Sequence, residues 1–308
     1  MARCLVVGGN GFLGSHVVDE LVALGHEVTV FDRFSTGVDS FSASGVRRVA
    51  GDFLDGEALR AALVGQELLF HFLSTTTPAT ADADPSTDIR TNIALSVELF
   101  AAAADAGVTR VYFASTGGAI YGDQLIDPIP ESAVPLPVSP YAIGKQAIEG
   151  YLRYFQRTRG LESISFRISN PYGPRQHPGK KQGVIPIFLQ RVAEGLPLTI
   201  LGDTTMVRDY IFAPDAARMI TATVGRPAAS PVYNIGSGHG ASLDELIGLI
   251  RSVTGRTVDL ELGERPSTFV QRSVLDVGRY TAEFGAPDLV PLDEGIALTW
   301  QAMSGRAS

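Results

Sequence analysis

The chain has one cysteine in 308 residues, which excludes an intramolecular disulfide and any cysteine-rich metal site. Cys4 stands inside the apolar run Cys4-Leu5-Val6-Val7 and reads as core. Long hydrophobic runs are missing too. The opening residues lack the apolar stretch and small-residue cleavage site of a secretory signal, and nothing later reaches bilayer-spanning length. A cytoplasmic protein with no membrane partner is therefore expected. Positive charge is in deficit: 25 Lys and Arg against 33 Asp and Glu leave a net charge of −8, which argues against a nonspecific nucleic-acid surface. His71, His177 and His239 are widely separated, with no ligand spacing, so no metal site is expected and His71 reads as packed at a strand end. Repeats and low-complexity tracts are absent. What is present is 45% hydrophobic and 19% charged sequence, enough for one large or two small globular domains.

Over the first half, short β-rich runs at 5–7, 27–31, 46–50, 68–72, 111–114 and 163–167 alternate with helical stretches that include 13–24 and 87–106. This alternation predicts an α/β fold, a Rossmann-type doubly wound parallel sheet with ligands at the carboxyl ends of its strands. After Asn170 the texture changes. Pro171-Tyr172-Gly173-Pro174 and the stretch 177–183 mark loops before a helix near 185–194, and further helices are expected at 243–254 and 294–303. A cofactor domain over 1–170 and 208–235, and a smaller α/β substrate-binding domain over 171–207 and 236–308, are predicted.

Gly8, Gly11 and Gly14 stand between the first strand and the first helix. Glycines there permit a tight turn and close backbone approach to a pyrophosphate lying on the helix N-terminus. Asp32 ends the second strand, eighteen residues after Gly14, where a carboxylate accepts from the ribose hydroxyls of an adenosine and repels a 2′-phosphate, so NAD is expected over NADP. Arg33 beside it reads as a solvated loop residue, although a guanidinium there could hold that phosphate. Asp52 and Phe53, just past the third strand, could hold an adenine by a hydrogen bond and an apolar contact, or simply end the strand.

The segment Ser139-Pro140-Tyr141-Ala142-Ile143-Gly144-Lys145 carries a YxxxK pair. Ser139 suits the N-cap and Pro140 the first helical position, which puts Tyr141 in the first turn with Lys145 on the same face. A phenol there feels the positive helix end and an ammonium, and both favour phenolate against the ordinary pKa of roughly 10.

With these motifs on the page, the chain resembles the extended short-chain dehydrogenase/reductase superfamily and, within it, the NAD-dependent nucleotide-sugar epimerases and dehydratases. The likeness runs through Gly8-Gly9-Asn10-Gly11-Phe12-Leu13-Gly14, Asp32, Gly51-Asp52-Phe53, Ser115-Thr116-Gly117-Gly118-Ala119-Ile120-Tyr121-Gly122, Tyr141 and Lys145. It continues through Asn170-Pro171-Tyr172-Gly173-Pro174-Arg175, Arg208-Asp209-Tyr210 and Tyr233-Asn234-Ile235-Gly236. It implies that Tyr141 takes a proton from a sugar hydroxyl while the sugar carbon passes hydride to NAD, with Lys145 orienting the nicotinamide ribose. It also implies cofactor contacts from Phe12, Leu13, Phe72, Leu73, Ser74, Asn92 and Ser115. The hydroxyls of Phe72-Leu73-Ser74-Thr75-Thr76-Thr77 could face nicotinamide or sugar.

The usual catalytic serine or threonine of the family falls on Gly117. Members similar to galactose epimerases carry Thr-Gly-Gly here, and the resemblance therefore assigns Thr116 to the role. The Asp-Glu pair of the 4,6-dehydratases reads Gly118-Ala119, the Ser-Glu pair of the decarboxylases is absent too, and Cys4 cannot serve the branches that use a catalytic cysteine. What the resemblance leaves is 4-epimerisation of UDP-glucose and UDP-galactose through a 4-keto sugar. Asn170, Arg208 and Arg265 match positions that grip the nucleotide diphosphate, although Ser267-Thr268 replaces the family's Gly-Asp after Arg265-Pro266. Ser273, three before Asp276, leaves room beside C2 and implies tolerance of UDP-N-acetylglucosamine. The resemblance also implies a homodimer through helices near 87–106 and 141–157. Three other readings stay open: a UDP-glucuronate epimerase, a dehydrogenase, and a noncatalytic NAD-binding sensor.

Overall fold

The computed structural model describes residues 1–177 and 183–304; the expected loop residues 178–182 lie outside the described residues. Strand Arg3–Val7 (β1) sits inside a seven-stranded sheet with Glu27–Asp32 (β2), Arg47–Ala50 (β3), Leu68–His71 (β4), Arg110–Thr116 (β5), Glu162–Ile168 (β6) and the strand Val232–Ile235. From one edge, the order is Val232–Ile235, β6, β5, β4, β1, β2, β3. β1 runs parallel to β2, with Val6 opposite Val30, and to β4, with Val6 opposite Phe70. β2 with β3 and β4 with β5 are parallel as well.

All six expected runs are strands, within two residues at each end. The reason is local: Cys4, Leu5, Val6 and Val7 are buried on both faces, as a helix-covered parallel sheet demands. Strand order reverses between β1 and β4, so the loops following these two strands flank the crevice where such sheets bind ligands.

One compact unit comprises Met1–Thr116, Pro137–Arg167 and Ala217–Tyr233. Its core gathers Leu5, Val7, Phe31, Leu69, Phe100, Phe113 and Leu152, each stabilising the fold by roughly 1.5–3 kcal/mol when fully buried. The helix Pro140–Arg159 starts as its sequence predicts, with the Ser139 side chain accepting from Ala142 N and Pro140 in the first turn, and stops at left-handed Gly160.

The single helix expected over 87–106 is three pieces: Pro85–Asp88, a wider π turn at Ile89–Ala94, and Leu95–Asp105. Asp88, just before the wide turn, accepts from Asn92 within it at 2.7 Å.

The second unit comprises Gly117–Leu136, Ile168–Ala216 and Asn234–Ser308. Segments 117–136 and 208–216, which the sequence places with the cofactor domain, pack here. Strand Val207–Phe212 pairs antiparallel with Gly240–Ser242 and parallel with Arg272–Ser273 and Asn170–Tyr172. Helices Val184–Glu194, Leu243–Thr254 and Leu292–Ser304 bury Phe188, Leu189, Leu246, Ile250 and Ile296 against Tyr172 and Phe212. Among the described residues, no helix is long and apolar enough to cross a membrane.

Candidate functional site

The glycine turn is built for close approach. Gly8 has φ +82°, and a Cβ there would lie 2.7 Å from Leu73 N in the loop after β4. A Cβ on Gly14 would overlap the Gly8 carbonyl oxygen, which instead accepts from Gly11 N at 3.0 Å. Gly11 is the N-cap of helix Phe12–Ala23 and brings no capping side chain. The first-turn amides around Phe12 and Leu13 therefore meet no capping group at the crevice, as a pyrophosphate requires.

Asp32 closes β2 with its carboxylate already oriented: Oδ2 accepts from Asn10 N at 3.0 Å and Oδ1 from Arg33 N at 2.7 Å. Asn10 in turn accepts from Ser40 N and donates to Val38 O. Asn10 therefore braces the Asp32 carboxylate, a role whose only sequence signal is its place inside the glycine motif. Arg33 is exposed. Asp52 accepts from Leu54 N, whereas the Phe53 ring is buried in the core against His71. The ring expected to offer adenine an apolar contact thus packs in the core of this unit.

Tyr141 and Lys145 share one helix face, with Lys145 Nζ 5.7 Å from the Tyr141 ring centre and 4.8 Å from that of Phe113. Nζ donates to Ala114 O at 2.9 Å, which anchors the lysine on β5 two residues before Thr116. Thr116 ends β5, buried, and among the described residues no hydrogen bond engages its hydroxyl. Burial lowers the Lys145 pKa to about 8, against the pull of Asp88 and Glu149, and raises that of Tyr141 to about 12, with Asp88 adding to the rise. The expected drift toward phenolate is thus reversed in the chain by itself. Desolvation and a carboxylate from another element outweigh the helix end and the ammonium.

The loop after β4 is held by its hydroxyls. Asn92 Oδ1 accepts from Thr75 N at 2.9 Å and Thr75 Oγ1 at 3.0 Å, and its Nδ2 donates to Thr76 Oγ1 and Asp88 Oδ1. Ser74 Oγ donates to Thr76 O. Phe72 lies near Phe70, and Leu73 packs on the core. The Ser115 hydroxyl donates to Glu149 Oε1 at 2.6 Å, and Arg167 clamps the same carboxylate. Glu149 follows Lys145 by four residues, a spacing that could have revealed it. Arg167 carries no such signal, since β6 delivers it from across the sheet. His71 is buried and bonded to Ser96, with burial lowering its pKa to about 3 and Lys145 contributing.

In the second unit, Arg208 donates to the carbonyls of Val207, Val270 and Gln271. Arg265 donates to Gln271 Oε1 and Phe269 O. The segment 269–271 thereby gathers both guanidiniums, and burial lowers the Arg208 pKa, opposed by Tyr210 and aided by Arg265. Two neighbouring cations held by neutral carbonyls offer an anion site. Ser273 is buried in register with Arg208. Asn170 Nδ2 donates to Asp209 O, and a Cβ on Gly118 would stand 3.2 Å from Asn170 Oδ1. Asp209, also not foreseen as a site residue, is fully buried and accepts from Ser237, Gly238 and Leu275.

Three comparisons extend these observations. The model of the NAD dependent epimerase/dehydratase family matches residues 4–236. The UDP-glucose 4-epimerase of Mycolicibacterium smegmatis is 33% identical over 96% of this chain and 97% of its own. Two solved UDP-glucose 4-epimerases are each 34% identical. The one from Thermotoga maritima, with UDP-glucose, has a TM-score of 0.93 and covers 99% of this chain and 100% of its own. The one from Thermus thermophilus, with NAD, has a TM-score of 0.90 and covers 98% and 99%.

Proposed function

Given that the chain belongs to the NAD dependent epimerase/dehydratase family, with NAD as its cofactor, we propose that it is a nucleotide-sugar 4-epimerase acting on UDP-glucose and UDP-galactose. NAD, when bound, would supply the hydride acceptor and donor for reversible oxidation at the sugar C4. Tyr141 takes the C4 hydroxyl proton and gives it back, Thr116 bridges that oxygen, and Lys145 holds the nicotinamide ribose and the charge of the tyrosine. Gly8, Gly11, Phe12 and Leu13 cradle the pyrophosphate, and Asp32 accepts from the adenosine ribose. Asn170, Arg208 and Arg265 grip the substrate diphosphate.

The observation that carries this reading is the contact of Gly118 with Asn170. A Cβ there would stand 3.2 Å from Asn170 Oδ1, a tight approach that disfavours the acidic side chain elimination requires, which supports Tyr141 as the acid–base group of a reversible oxidation at one carbon. Similarity to three UDP-glucose 4-epimerases supports the nucleotide and the sugar. Ser273, small and in register with Arg208, supports acceptance of the N-acetylated UDP-sugars. Exposed Tyr151 and Tyr154 on helix Pro140–Arg159 support a homodimer.

The test is product identification with UDP-, dTDP- and GDP-sugars. Interconversion of UDP-glucose and UDP-galactose without net NADH release is expected. Net NADH release would make the protein a dehydrogenase. Bound NAD with no turnover on any nucleotide sugar would make it a sensor.

A further inference from the structure

Asp88 lies beside the reactive pair and takes no part in the mechanism above. It is 3% exposed, at the end of Pro85–Asp88 where the π turn begins. Its Oδ1 accepts from Thr76 Oγ1 at 2.5 Å and Asn92 Nδ2 at 2.7 Å. Its Oδ2 abuts Gly144, between Tyr141 and Lys145, so closely that a Cβ on that glycine would overlap it. Asp88, Asn92, Tyr141, Gly144 and Lys145 line one small cavity. Two neutral donors do not compensate a buried carboxylate, so its charge calls for a cation. The ammonium facing the same cavity is Lys145.

We propose that Asp88 is an electrostatic positioning residue, a fixed counter-charge that keeps Lys145 an ammonium and keeps the proton on Tyr141 until substrate engages. The inference rests on Tyr141 being the acid–base group of the proposed reaction. Asp88 acts on both members of the pair in the stated sense, raising the pKa of each. A reversible reaction needs Tyr141 in both states, as phenolate to take the hydroxyl proton and as phenol to return it, and a carboxylate that opposes the helix end and the ammonium keeps the phenol state within reach.

Other charges near helix Pro140–Arg159 do not substitute for Asp88. Asp82, Arg90, Glu98 and Asp105, on the segments packed against it, are exposed. On β5, Arg110 is paired with Glu162. Glu149 adds to the pull on Lys145 but does not act on Tyr141, and it is paired with Arg167; His71 on β4 is neutral. Gly144 follows from the same logic, since its missing side chain is the space the carboxylate occupies.

The test follows Tyr141 ionisation directly, by tyrosinate difference absorbance of D88N against D88N/Y141F, and of the parent against Y141F, from neutral pH to about pH 12.5, through the parent's own midpoint. Asparagine keeps an acceptor for Thr76 and Asn92 and removes the charge. The Tyr141 midpoint is expected to fall by about one pH unit or more in D88N. G144A, whose methyl evicts the carboxylate without removing it, is expected to shift the midpoint the same way and covers the case of a poorly folding D88N. In the NAD-loaded enzyme, the acidic limb of kcat/KM moves down with it. An unchanged or raised midpoint in the folded variants, with only a lower melting temperature, overturns the inference and makes Asp88 a structural residue. Turnover does not enter the absorbance readout, so an inactive parent counts against the proposed reaction alone.

Discussion

Glu149→Gln puts a number on the ion pair behind the site. The Glu149 carboxylate accepts from Ser115 at 2.6 Å and from Arg167 Nε and Nη2 at 3.1 and 2.8 Å, and the side chains of Arg167 and Glu149 are 6% and 1% exposed. Glutamine preserves the shape and an acceptor for Ser115 but leaves a buried guanidinium without its counter-charge. Breaking such a pair from one side costs about 3–5 kcal/mol. With an unfolding entropy of about 2.1 cal/mol/K per residue over 308 residues, or about 0.65 kcal/mol/K, a loss of about 4 kcal/mol lowers Tm by about 6 °C, and by more if this unit melts alone. Calorimetry and urea unfolding measure it. The double variant Glu149→Leu with Arg167→Met removes both charges and is expected to lie within about 1 kcal/mol of the parent. A Glu149→Gln variant within about 1 kcal/mol of the parent, or a double variant as unstable as the single one, would refute the reasoning.

Gly14→Ala sets a methyl against the Gly8 carbonyl, backbone that no rotamer change relieves; the purified variant is expected to retain less NAD than the parent, measured after release by denaturation. Arg208→Met removes a charge-assisted grip of roughly 1.5–3 kcal/mol, so KM for UDP-glucose should rise about 10- to 150-fold with a smaller change in kcat, read by steady-state kinetics. Tyr141 and Tyr210, both held at about 12, contribute stability that is full below roughly pH 10 and lost as pH rises through 12. Lys145, lowered to about 8 from 10.5, works the other way: its penalty is full below pH 8 and disappears as pH rises through 10.5. Urea midpoints against pH should therefore rise between about 8 and 10 in the parent and lose that rise in Lys145→Met.

Much of the site was legible because its signals are local. Gly8 and Gly14 stand where a side chain would strike backbone, and with Gly11 they announce a tight turn, while Ser139-Pro140 announces the helix start that presents Tyr141. Asp32 was legible as a strand-end carboxylate but its brace, Asn10, was not, since a backbone amide bonding across a crevice leaves no pattern. Asn92 and Ser115 were read as cofactor contacts, and their side chains prove to be committed to Thr75, Thr76, Asp88 and Glu149. Those partners come from elsewhere in the chain, and spacing along one element does not reveal them.

The ionisation of Tyr141 divides the two kinds of information most clearly. Sequence by itself determined that a tyrosine and a lysine share the first turns of a helix and follow a glycine-rich cofactor turn, because capping, helical periodicity and glycine's freedom act within a few residues. Only the tertiary structure decided which way the phenol titrates. Burial and the approach of Asp88 are through-space effects, set by a π turn some fifty residues upstream, and in a low-dielectric interior they outweigh the local field of the helix end.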